Sequence, residues 1–195
     1  MGIFTRLFLG DDLSKGVDRN FSPEIERILK KDGWYKRRHI NIDDDIKKLE
    51  QKGYIITENF KNFYAEFAYL NYDLKVEGKE RFIEFDIDTP IQYDYDEVII
   101  KDIPKVIKQY KLGLGNNKEI KEDDERIKCE NGIIPVGNID HSSYLLIDED
   151  NAIYAMQDGL ISLEGKSIEE ALTNLFTIPW RDNNFIELPT PQWWW

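Results

Sequence analysis

Apolar residues recur with helical spacing most clearly in "NFKNFYAEFAYL". Phe60, Phe63, Tyr64, Phe67 and Ala68 fall there at i, i+3, i+4, i+7 and i+8. That period predicts a helix with an aromatic stripe turned to a core. Ile25, Ile28 and Leu29 form a shorter stripe. Ser22 is placed to cap it, Pro23 suits its first position and Gly33 can end it. Ile46 and Leu49 mark another helix, from Asp43 to a stop at Gly53. "DLKVEG" and "RFIEFDID" read as strands. "DYDEVIIKDIPKVIKQYKLG" then reads as helical around Val106, Ile107 and Tyr110, with Pro104 marking a start or a kink. "GLGNNKEIKEDDERIK" is polar and reads as a loop.

From residue 132 the period changes to short apolar runs: "GIIPVGN", "SSYLLID", "AIYAMQ" and "LISLE". Turn signals separate them, at "DEDN" and at Asp158-Gly159. "SIEEALTNLF" closes as a helix, with Ser167 and Glu170 forming a capping box. Helices come first, then two strands, a helix, a run of strands and a last helix. That order predicts an α+β fold, a largely antiparallel sheet with helices packed on it. The expected core is Ile25, Ile28, Leu29, Trp34, Phe60, Phe63, Phe67, Leu145, Ile147, Ile153, Leu172 and Leu175.

The 195 residues suit one domain, read as an N-terminal arm (1–21), a body (22–178) and a C-terminal tail (179–195). No run approaches the ~20 apolar residues of a membrane span. Arg6 interrupts the apolar start and stands where a myristoylation motif needs Ser or Thr, so the arm is expected to be structured. The net charge of −12 disfavours direct binding to nucleic acid and suits a basic protein partner. The single cysteine, Cys129, excludes an internal disulfide and agrees with a cytoplasmic location.

The chemistry-bearing residues are few. His39, His141 and Cys129 lack the spacing of a zinc site, so no metal is expected. In "IDHSS", Asp140, His141, Ser142 and Ser143 are too close in sequence for triad geometry and read as a turn. "GLGNN" lacks the context of a phosphate loop. The carboxylate groups "DIDTP", "DYDE", "EDDE" and "DED" miss the spacing of a calcium loop and read as solvated surface. Neither catalysis nor a cofactor is expected.

One basic knot stands out in this acidic chain: "GWYKRRHI", residues 33–40. It opens on to a wider pattern. "SPEIERILKKDGWYKRRHINI" resembles the start of the SUKH superfamily, in particular its third group of bacterial immunity proteins, through Gly33, Trp34 and Arg38. "FYAEFAYL" continues the likeness. "IIPVGNIDHSSYLLIDEDNAIYAM" is similar to that family's Pro-x-Gly motif, here Pro135 and Gly137, followed by two strands joined through an acidic turn. The chain departs from the family where Lys36-Arg37 replace a common Pro-Gly, and where Ala68 and Tyr69 replace the usual glycines after the third helix.

The resemblance implies a cytoplasmic immunity protein that neutralises a cognate toxin domain, often a nuclease, without catalysis or cofactor. The alternatives are a regulatory interaction module with a non-toxin client, which the superfamily also contains, or a small hydrolase. It makes Gly33, Trp34, Arg38, Pro135 and Gly137 structural. Trp34 is expected to fill a fold corner, Arg38 to meet a buried or half-buried acid, and Lys36 and Arg37 to be solvated. Asp86, Asp88, Asp94, Asp96 and Glu97 are the candidate partner-binding residues, by their density after a strand. The tail ending in Trp193, Trp194 and Trp195 is expected to dock on the chain's own body, with a homodimer contact second.

Overall fold

The computed structural model describes residues 14–88, 99–100, 102–111, 132–157 and 160–179. The described elements are α1 (Pro23–Lys31), α2 (Asp43–Gln51), α3 (Glu58–Phe67), β1 (Asn71–Val76), β2 (Lys79–Glu84), α4 (Ile103–Lys111), β3 (Ile134–Ile139), β4 (Ser143–Ile147), β5 (Ile153–Gln157), β6 (Leu160–Gly165) and α5 (Ile168–Thr177). The expected loop at 113–131, Cys129, the Asp158-Gly159 turn and the tryptophan tail lie outside the described residues.

The helix ends follow from local chemistry. Ser22, Thr57 and Ser167 each accept a main-chain N–H of the helix that they open, from Ile25, Phe60 and Glu170. The Glu170 carboxylate reaches back to the N–H of Lys166 at 2.9 Å. α1 and α2 stop in the same way. Gly33 and Gly53 take φ of 99° and 97°, and the residues after them, Trp34 and Tyr54, donate back to the carbonyls of Leu29 and Leu49. A side chain at either glycine would strain that left-handed turn. Pro104 sits in the first turn of α4, where its missing N–H costs nothing.

All six strands pair antiparallel in sequence order, β1-β2-β3-β4-β5-β6. β1 and β2 are joined by Glu77 and Gly78, both at positive φ (47° and 83°), which makes a tight two-residue hairpin. β1 therefore begins and ends two residues before the expected "DLKVEG" run. β3 is buried along its whole length. The core is one continuous cluster running from α1 and α3 to β4, β5 and α5. Every expected core residue joins it, although Ile28 is only partly buried.

Candidate partner interface

Trp34 sits immediately after the glycine that ends α1, so the turn itself aims the indole inward. The ring is 2% exposed and meets Phe21 edge to face, with centroids 5.6 Å apart. Its Nε1 donates to Glu66 Oε1 at 3.0 Å. Glu66, on α3, is 1% exposed, and Arg19 Nε donates to its other oxygen at 2.7 Å. Burial pushes the Glu66 carboxyl up, while Arg19 and the indole N–H hold it back.

Arg38 is also buried, at 5% exposure, and its two terminal nitrogens bind main-chain oxygens. Nη1 and Nη2 donate to the carbonyls of Glu66 (2.6 Å) and Ala68 (3.0 Å). These carbonyls end α3, so the guanidinium serves as its C-terminal cap. The carboxylate beside Trp34 belongs to Arg19, a residue that sequence reasoning did not single out. Lys36 and Arg37 are exposed, as expected, yet both bind the segment before α1. Lys36 pairs with Asp18 at 2.9 Å, and Arg37 donates to the carbonyls of Ser14 and Gly16. A Cβ at Gly16 would come within 2.0 Å of the Arg37 carbonyl oxygen. Residues 14–21 are therefore packed on the corner.

Pro135 and Gly137 set the seam between the β1–β2 hairpin and the four-stranded meander β3–β6. The β3–β4 register slips between them, which accommodates a proline that cannot donate to the ladder. A Cβ at Gly137 would lie 2.0 Å from the Glu84 carbonyl oxygen, so the end of β2 needs the missing side chain there.

Of the candidate partner-binding residues, Asp86 and Asp88 are described; Asp94, Asp96 and Glu97 lie outside the described residues. Asp86 is half-buried and accepts the Asp88 N–H at 2.8 Å. Burial raises its carboxyl, and the charges of Asp88, Glu84 and Asp45 add to the rise. Asp88 is exposed and ion-paired to Lys48, which also lies 3.5 Å from Asp45. Tyr69 donates its hydroxyl to Asp45. Asp43, Asp44 and Asp45 form the first turn of α2, where acid is favoured by the helix dipole. The turn after β2 and the start of α2 thus make one acidic surface, with Asp44 and Asp88 outermost. Sequence reasoning took the 86–97 cluster alone. The three consecutive aspartates were the signal for the rest, but their proximity comes from folding.

The Asp140-His141 pair forms the β3–β4 turn, at positive φ (51° and 55°). Asp140 Oδ1 accepts the Phe82 N–H at 2.7 Å, the His141 ring lies against Phe82, and Ser143 Oγ donates to Gln157 at 3.0 Å. Each side chain is directed to a neighbouring strand. Asp148, in the β4–β5 turn, is buried under the N–H groups of Asp150 and Ala152, the Tyr154 hydroxyl and Lys111. Among the described residues, no group of His, Cys, Asp and Glu is arranged to hold a metal ion, and no helix is long and apolar enough to cross a membrane.

The model of the SUKH-3 immunity protein family matches residues 21–178. No curated protein and no solved structure matches the chain.

Proposed function

Because the chain belongs to the SUKH-3 immunity protein family, we propose that it neutralises a basic toxin domain, foremost a nuclease, by covering it with the acidic surface at α2 and the turn after β2. The match across residues 21–178 carries this reading. The net charge of −12 supports the basic partner. A nuclease must hold phosphates with Lys and Arg, and an acidic inhibitor is drawn to that same site by long-range attraction. The inhibitor works by occupancy in the cytoplasm.

The surface has a graded layout suited to this. Asp44 and Asp88 stand outermost, ion-paired to Lys47 and Lys48 of α2, so a basic partner meets them by exchanging those pairs. Asp45 and Asp86 are held by Tyr69, Lys48 and the turn main chain, which fixes the outer pair in place. Asp94, Asp96 and Glu97 follow in the sequence and add to the net charge that draws a basic partner.

The test is association kinetics with a candidate toxin domain taken from a gene neighbouring this chain's, at low and high salt. Asp44→Lys combined with Asp88→Lys should slow association at least tenfold at low salt, and added salt should shrink the difference. An association rate indifferent to both would place the interface elsewhere. Failure to bind that toxin at all would remove the functional reading.

A further inference from the structure

We propose that β1 is the contact of a two-fold dimer, in which the outer edges of two β1 strands pair antiparallel with Leu74 on the axis. β1 is one of the two edge strands of the sheet among the described residues. Val76 and Lys79 close a two-residue hairpin, and Phe85 N–H donates to the Leu70 carbonyl at 2.9 Å. The even-numbered residues of β1 therefore direct their main-chain groups at β2. By alternation, Asn71, Asp73 and Lys75 direct theirs outward. Among the described residues no strand pairs with that edge. A groove of about 410 Å3 runs beside it, between β1, the outer face of α1 at Arg27 and Lys31, and the end of α5 at Thr177.

Charge selects the second copy as occupant. Asp73 and Lys75 are exposed, and neither has an ion pair among the described residues. The outward main-chain groups allow only registers that place odd residues opposite odd residues. Centring the pair on residue 73 sets Asp against Asp. Centring it on residue 75 sets Lys against Lys and Asp73 against Glu77. Centring it on Leu74 sets Asp73 against Lys75 of the other copy, twice by symmetry. The strand is thus self-complementary in one register, as an isologous contact requires. Such a contact also removes an open sheet edge.

Sedimentation across a concentration series tests this, in a Cys129→Ser background. The chain should dimerise. Lys75→Asp and Asp73→Lys should each weaken the dimer at least tenfold, and the double exchange should restore it. Leu74→Cys should cross-link on mild oxidation, because paired residues at that position have Cα atoms about 4.5 Å apart, within disulfide reach. Lys75→Cys, which faces Asp73, should not. A monomer at every concentration overturns the proposal. So does a dimer that forms only after residues 180–195 are deleted, since the tail would then own the edge. A dimer unmoved by either charge reversal, or a monomer whose β1 amides gain exchange protection only with toxin present, also overturns it.

Discussion

Arg37 and Tyr69 hold left-handed backbone, with φ of 63° and 65°. They stand where the sequence departs from the resemblance: Arg37 in place of the second residue of a Pro-Gly, and Tyr69 in place of a glycine. Side chains there cost roughly 1–2 kcal/mol. Both are used: Arg37 binds the segment before α1, and Tyr69 binds Asp45. Arg37→Gly should leave stability within about 1 kcal/mol of the parent in thermal melts, strain relief offsetting the lost contacts and the added chain entropy. Trp34→Ala should cost about 3–5 kcal/mol, read by denaturant titration. The sequence showed Trp34 and Arg38 as a corner but hid Glu66. Between Phe63 and Phe67 it looks like a solvent position. Its partners Arg19 and Trp34 lie 47 and 32 residues away, and no local period encodes that distance. Glu164 on β6 is a second hidden acid, 2% exposed and pushed up by burial. A carboxyl raised above its ordinary 4.5 favours folding below that pH and gives up that contribution as pH rises through its folded value. Glu164→Gln should therefore flatten the loss of stability on raising pH from 5 to 8, measured by melting across that range.

Among the elements, the helices were the most legible, because their ends are written in neighbouring residues. Ser22 and Ser167 cap, Gly33 and Gly53 stop, and each acts within one turn of chain; Thr57 caps α3 by the same rule, although it was not singled out. Strand identity was also legible, strand limits less so. The Glu77-Gly78 turn followed directly on β1, and an apolar count cannot separate the last paired residue from the first turning one. The seam at Gly137 was visible as a motif, while its cause, the Glu84 carbonyl 2.0 Å from where a Cβ would stand, belongs to a strand more than fifty residues earlier. Gly137→Ala should separate β2 from β3 and destabilise by about 1–3 kcal/mol. Amide exchange should report it first at Ile83 and Glu84, which form the pairs joining the two strands.

At the scale of the molecule, sequence order became sheet order, which is why the α+β reading needed no long-range guess. The acidic surface was only half legible, since the start of α2 and the turn after β2 meet through tertiary packing. The arm was expected to be structured, and its described residues 14–21 are clamped at Gly16, Asp18 and Arg19. Arg19→Ala would leave Glu66 buried without its cation. The cost should be about 3–5 kcal/mol near neutral pH and should shrink as the pH falls, because burial raises the Glu66 carboxyl and an uncharged acid does not need the cation, as melts across a pH series would show. Arg81 makes a long-range hold: from β2 it donates to the carbonyls of Leu175 (2.5 Å) and Ile178 (3.0 Å), closing the end of α5 from 94 residues away in the case of Leu175. A chain growing on the ribosome can lay down its whole meander and still lack the cover for one face and the acceptors for this cation. The native body closes only once α5 emerges, so a message cut short before α5 should yield chains for proteases rather than a weaker protector.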